Sequence, residues 1–285
     1  MMEKRVKIIT DAGADLPSDK ILREKYSIEP IFQIPLAVQF GDTEYITGKN
    51  IDSNKFKELV NENEICPKTS ILSGETKIRY QKAIDEGSDV LGIHLGKNLS
   101  GMFNAVNLIA NKNDRVWVFD TGTVSMAEGF MAIRAQQLAD QGKSLEEIYG
   151  EMKKMKRKVD LRVIARNIPF IKSSGRVSDL KMLFVEKLHI VPTLRIDNNK
   201  VKNAATPRSI EKALNWMVYF ARKKRPLEQV AILDLDDEQN AKRLHERLVN
   251  DLKISEKIIY RGALGPVTGT HGGPGTLAMA TVMAR

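Results

Sequence analysis

The chain has 285 residues, 42% of them hydrophobic and 28% charged, and its 45 Lys and Arg against 36 Asp and Glu leave a formal net charge of +9. That length suits two α/β domains, and the composition excludes a disordered or fibrous chain. No apolar run approaches the roughly 20 residues needed to cross a bilayer, the segment Met1 to Lys7 lacks the apolar core of a signal peptide, and the single Cys66 precludes an internal disulfide and fits a reducing compartment, so the expected location is the cytoplasm.

In chain order, Val6 to Thr10 reads as a short buried strand. The turn Asp15-Leu16-Pro17-Ser18 then opens a helix, with Pro17 in its first turn. Ile31 to Phe40 alternates like one strand, Gly41-Asp42 is a turn, and Thr43 to Thr47 returns as a hairpin. Asp52 or Ser53 caps a helix to about Asn61. Lys68 to Gly74 reads as a polar loop before a helix from Glu75 to Glu86. Val90 to Leu95 is a strand, and Leu99-Ser100-Gly101 leads into a helix with Ser100 as its N-cap. Val116 to Phe119 is a strand, followed by a helix from Val124 to Gln141. Ser144 and Glu147 form a capping box for a helix to about Lys158.

Strands alternating with helices predict a parallel sheet covered on both faces, a three-layer α/β domain over residues 1–158, with ligands held at the carboxyl ends of the strands. The second half, 159–285, has a different rhythm. Leu161 to Ala165 is a strand and Ile168 to Lys172 a short helix ending in Ser173-Ser174-Gly175-Arg176. Leu188 to Ile196 and Lys200 to Ala204 form a hairpin around Asp197-Asn198-Asn199. Ile210 to Arg222, Val230 to Leu235, Asp237 to Leu252 and Lys257 to Arg261 read as helix, strand, helix, strand. The Gly-rich loop from Thr268 to Gly275 precedes a small-residue helix. This half is expected to be a smaller α+β domain.

The histidines His94, His189, His245 and His271 lack metal-ligand spacing, and Cys66 has no companion, so no metal site is expected. Ser100 is not in a G-x-S-x-G setting. Neither Gly96 to Gly101 nor Gly269 to Gly275 is a phosphate-binding loop of known pattern. Two basic runs, Lys153 to Lys158 and Arg222 to Arg225, read either as solvated helix faces or as docking surfaces for anionic lipid or an acidic partner. Aromatics at 6%, not interleaved with either run, argue against nucleic acid. Taken together, the polar loops supply hydroxyls at Thr69 and Ser70, a helix N-terminus at Ser100, and charge or donors at Arg176 and His271. Such a set can hold a carboxylate or phosphate if the two halves face one another.

These loops carry a resemblance. Ile9-Thr10-Asp11-Ala12-Gly13-Ala14-Asp15-Leu16-Pro17 looks like a T-D-S-T-A-D-L-P opening, and Pro67-Lys68-Thr69-Ser70 like a P-K-T-S loop. Leu99-Ser100-Gly101 is similar to L-S-G-T, Ser174-Gly175-Arg176 to a G-G-R turn, and His271-Gly272-Gly273-Pro274-Gly275 to H-x-G-P-G. In this order and spread along the chain, they resemble the DegV family. Departures are Ala12-Gly13 for Ser-Thr, Met102 for the Thr of L-S-G-T, and Ser173-Ser174 near the G-G-R turn.

The resemblance implies two domains with one long-chain fatty acid between them and no other cofactor. It implies that Thr69 and Ser100 hold the carboxylate, with Arg176 and His271 at the same end. It also implies a FakB-type carrier rather than an enzyme, one that presents its cargo to a separate fatty acid kinase subunit for acyl-phosphate formation in phospholipid synthesis and exchanges ligand at an anionic membrane surface. The alternative from the residues is a serine-dependent hydrolase of lipid esters or acyl-phosphates, with Ser100 or His271 as the reacting group.

Overall fold

Four parallel strands make the first sheet. β1 (Val6–Asp11) lies between β2 (Phe32–Ile34) and β6 (Asp89–His94), and β6 pairs with β7 (Val116–Asp120), so the order is β2-β1-β6-β7. This computed structural model describes residues 6–62, 65–177 and 190–284; His189 and the start of the strand predicted from Leu188 lie outside them. The sheet is covered on one side by α3 (Ser73–Asp85) and α4 (Met102–Ala110), and on the other by α5 (Met126–Asp140) and α6 (Leu145–Met155). This is the expected three-layer arrangement, and Ser144 and Glu147 form the predicted capping box on α6.

The second half builds a six-stranded mixed sheet in the order β10-β9-β8-β13-β11-β12. Its strands are β8 (Val159–Ile164), β9 (Thr193–Asp197), β10 (Lys200–Ala205), β11 (Leu227–Leu235), β12 (Ile259–Ala263) and β13 (Thr276–Met283). Alternation divides each central strand between two cores. Val230, Ile232, Leu277 and Met279 pack beneath α8 (Ile210–Lys223) and α9 (Glu238–Asn250), whereas Ala231, Leu233, Ala278 and Ala280 face the first sheet's side.

Between the sheets lies α5. It packs on β1 and β6 and also on β8 and β13, and every residue from Met126 to Ile133 is buried. Small residues allow this: a Cβ on Gly129 would meet Ala14 O at 2.7 Å and Met126 Sδ at 2.9 Å. The one acid in that stretch, Glu128, accepts from Thr10 Oγ1 at 3.1 Å, and burial, aided by Asp11, pushes its carboxyl well above the usual range.

Several expectations change. Ile31 to Phe40 is two strands in two sheets: Pro35, which has no N–H for a ladder, separates β2 from β3 (Leu36–Phe40). β3 pairs with the predicted hairpin partner β4 (Thr43–Ile46) and also with β5 (Lys68–Ile71), where a polar loop was expected. Pro17 precedes the N-cap Ser18 of α1 (Asp19–Tyr26) rather than entering its first turn. The N-cap of α4 is Gly101, one residue after Ser100. The Gly-rich segment is itself helical, as α10 (Pro266–Gly272), and the small-residue stretch after it is β13 at the middle of the sheet. That strand is buried on both faces, so its sequence has no alternation to reveal it. No helix among the described residues is long and apolar enough to cross a membrane.

Gly129→Ala is expected to cost about 1–3 kcal/mol, because the new methyl meets a backbone carbonyl that cannot give way. Urea unfolding measures it; unchanged stability would mean that α5 is not clamped at this point.

Candidate functional site

A cavity opens beside the N-terminus of α5, at Val124 and Ser125, against the second sheet. It encloses about 1150 Å³ of space, its mouth included. The inner face of the second sheet forms one wall through Leu161, Val163, Ala165, Leu194, Ile196 and Ala278. The facing wall includes Leu36, Leu95, Val124, Leu264 and Val267, with α7 (Ile168–Ser174) closing one side. Most of these residues are buried and apolar.

Polar groups gather on the more open side. All four residues singled out in the sequence, Thr69, Ser100, Arg176 and His271, line this cavity. Thr69, Ser100 and His271 are half-buried, and Arg176 is exposed. β5 places Thr69 opposite Val38, and the last turn of α10 carries His271, so that Thr69 Oγ1 and His271 Nε2 stand 3.4 Å apart. Ser100 Oγ accepts from Met102 N at 3.2 Å, which turns the hydroxyl toward the first turn of α4. Arg176 Nε donates to Leu99 O at 3.2 Å and Nη1 to Ser174 O at 2.7 Å, tying the segment after α7 to the loop before α4. Thr276 Oγ1 packs against Gly272 and, like His271 Nδ1, is buried without a hydrogen-bond partner among the described residues.

Burial, with the Arg176 guanidinium adding to it, lowers the His271 pKa to about 4. At neutral pH the ring is uncharged, and among the described residues lining the cavity the cation is Arg176. Ser100 Oγ bonds to no base among the described residues, and His271 is engaged with Thr69, so the geometry gives a serine hydrolase no support. His94 is elsewhere, buried between Tyr80 Oη at 2.7 Å and Asp11 Oδ2 at 2.8 Å. His245 Nε2 lies 3.8 Å from Glu256. No group of three or more His, Cys, Asp or Glu among the described residues could hold a metal ion.

Much of the basic runs is engaged locally. Lys153 lies over the Tyr149 ring, Lys154 pairs with Glu151 at 3.4 Å, and Lys156 donates to Asp120 O at 2.6 Å. This run sits at the C-terminus of α6, where the helix dipole favours cations. Lys223 and Lys224 lie over Tyr219 and Phe220.

Sequence reasoning missed Ser125, Thr268 and the apolar walls, and read Asp15 only as part of a turn. Ser125 Oγ donates to Asp15 Oδ2 at 2.6 Å, and Thr268 Oγ1 to the same oxygen at 2.9 Å. These partners are 110 and 253 residues apart, so no local pattern marks them.

The sequence profile described as "Uncharacterised protein, DegV family" matches residues 5–284. A DegV domain-containing protein of Clostridium acetobutylicum is 27% identical over 286 residues, covering 98% of each chain. Protein DegV of Bacillus subtilis is 27% identical over 282 residues, covering 96% of this chain and 98% of its own. Among solved structures, a DegV family protein from Thermus thermophilus, described by its fatty acid binding, superposes with a TM-score of 0.87 at 26% identity, covering 98% of this chain and 99% of its own. DegV from Bacillus subtilis, described as a fatty acid binding protein, gives 0.82 at 26% identity with the same coverage.

The imidazole of His271 is expected to titrate with a midpoint of about 4, and Arg176→Gln to raise it, as followed by NMR. A folded value below the unfolded 6.5 means that the ring contributes stability above 6.5 that is lost as pH falls toward 4. His271→Asn should remove that part of the acid slope. A midpoint at 6.5 would contradict the burial seen here.

Proposed function

Since the chain belongs to the DegV family, we propose that it binds one long-chain fatty acid in this cavity and carries it, without itself being an enzyme, to a separate ATP-dependent kinase subunit that forms the acyl-phosphate. The observation that carries the reading is the sorting of polarity: the walls are mostly apolar and buried, and the accessible rim is mostly polar, with Thr69, Ser70, Ser100, Arg176 and His271, while the deeper Ser125 hydroxyl is taken up by Asp15. A fatty acid has that same division. Burying its tail gains roughly 0.8 kcal/mol per CH₂, so a chain of about fifteen carbons gains on the order of 10 kcal/mol before association costs.

The rim supplies the carboxylate's partners. Ser100 Oγ already accepts from Met102 N, which leaves its own proton to donate. With neutral His271 donating from Nε2 to Thr69 Oγ1, the Thr69 proton is likewise left for the carboxylate. Arg176 compensates the charge from the exposed edge. There the carboxylate stands at the mouth of the cavity, which is where a kinase active site must reach it. The family resemblance supplies the rest of the reading: a cytoplasmic carrier feeding phospholipid synthesis, exchanging its cargo in transient contact with an anionic membrane. We place the division between its two domains at residues 158 and 159, just before β8.

Native mass spectrometry of the purified chain tests the binding step. A mass increment equal to one fatty acid, released on denaturation, is expected; a ligand-free chain that also refuses added palmitate and oleate would remove the carrier reading. For the head group, Thr69→Ala and Ser100→Ala are each expected to weaken binding by about 1–2 kcal/mol, with the rate of phosphorylation by the partner kinase falling further than the affinity. Undiminished phosphorylation of cargo held by the double variant would refute these two roles.

A further inference from the structure

Asp15 follows the turn after β1 at φ 48°, in the left-handed region, and is buried. Its carboxyl joins three distant segments. Ser125 Oγ donates to Oδ2 at 2.6 Å, Gly265 N donates to Oδ1 at 3.0 Å, and Thr268 Oγ1 lies 2.9 Å from Oδ2 and 3.1 Å from Oδ1. Gly265 is the N-cap of α10, a helix with no side-chain cap of its own, so Asp15 serves its first turn from the other end of the chain. The approach needs glycine, since a Cβ on Gly265 would stand 2.6 Å from Asp15 Oδ1. Ser125, the N-cap of α5, is held at φ 60° and ψ −156°, a conformation strained for any residue but glycine, with its N–H on Gly13 O at 2.7 Å.

Ser125 and Thr268 both line the cavity, among Leu36, Val124, Leu264 and Val267. A hydroxyl turned toward an acyl chain there would be a buried polar group without a partner. Asp15 accepts from both.

We propose that Asp15 is a positioning residue for the fatty acid site: its carboxylate holds the Ser125 and Thr268 hydroxyls away from the acyl chain and fixes the helix that carries His271, and protonation loosens that helix and weakens binding. This rests on the reading that the cavity takes a fatty acid.

A carboxylate can accept from all three donors, whereas a carboxylic acid must itself donate to one of the two hydroxyls. Thr268 has a second acceptor in Gly265 O at 3.1 Å, so the acid donates to Thr268 Oγ1, while Ser125 Oγ, with no other acceptor among the described residues, keeps its bond to the carboxyl; protonation thus turns the Thr268 hydroxyl onto Gly265 O and leaves a neutral acid in place of the carboxylate at the start of α10. Burial pushes the Asp15 carboxyl up to about 7, against the bonds from Ser125, Thr268 and Gly265 that hold it down, with nearby Asp11 adding to the rise. The groups facing it are Asp11 from β1, Glu128 from α5 and Tyr260 from β12, with His94 of β6 behind Asp11 and His271 at the far end of α10. Burial, then Asp15, raises Tyr260 above its ordinary range, and burial keeps His271 at about 4, so neither changes charge near neutrality. Glu128 is the competing titration, and an Asp15 variant separates it.

The test is the affinity of the full chain for oleate and palmitate between about pH 6 and pH 8. The wild-type chain is expected to bind about tenfold more tightly at the upper end. Asp15→Asn, whose amide donates as the acid would, is expected to bind at the weaker level throughout, with no pH dependence. Thr268→Val removes a donor to the carboxylate and is expected to move the midpoint to higher pH. A wild-type affinity that does not change with pH, or a profile that persists in Asp15→Asn, overturns the proposal while leaving the fatty acid reading intact. Should Asp15→Asn not fold, an unmoved midpoint in Thr268→Val overturns it equally. No binding of either acid at any pH removes the fatty acid reading, and this proposal with it.

Discussion

The helix α5 lies between two sheets and buries every residue from Met126 to Ile133, so its position answers to both halves of the chain at once. A helix with one wet face could slide or tilt at small cost; one surrounded by packed side chains cannot, because interiors have few voids to give up. Glu128 within it, its carboxyl pushed well above the usual range by burial, is bonded to Thr10 of β1, which adds a directional contact to the packing. The two sheets are thereby held at a set spacing along α5.

The cavity lies beside the N-terminus of α5, at Val124 and Ser125. Its walls are made from residues that a sheet or helix would otherwise present to a core, which is why they are apolar without special provision. Its rim is made from the ends of elements: the strand β5, the loop before α4, the turn after α7 and the last turn of α10. Element ends carry unpaired backbone groups and tolerate polar side chains, so hydroxyls and charge collect there. Affinity and orientation are consequently assigned to different parts of the fold. In the proposed function the apolar walls would supply contact area for a tail, while Thr69, Ser100, Arg176 and His271, which line the same cavity, would meet its head.

Charge at the rim is economical. His271 is kept neutral by burial and by Arg176, so among the described residues lining the cavity the cation is the exposed Arg176 guanidinium, while the imidazole engages Thr69. A second buried cation would have raised the desolvation cost of the empty site. The carboxyl of Asp15 is set back behind Ser125 and Thr268, where it organises the wall through their hydroxyls.

What the sequence determined by itself was local. The alternation of strands and helices in the first half, the capping box at Ser144 and Glu147, and the hairpin around Asn198 follow from periodicity and capping within a few residues. The motifs at Thr69, Ser100, Arg176 and His271 were legible as short polar loops, although nothing local said that they share one rim. Tertiary structure decided the rest. It made β13 a central strand, because burial on both faces erases the alternation that marks a strand. It sent β2 and β3 to different sheets across Pro35, and drew Lys68 to Ile71 into a strand that its polar sequence did not suggest. It also brought Asp15 to Ser125 and Thr268. A hydrogen bond is read by distance in space, and partners more than a hundred residues apart leave no periodic trace along the chain.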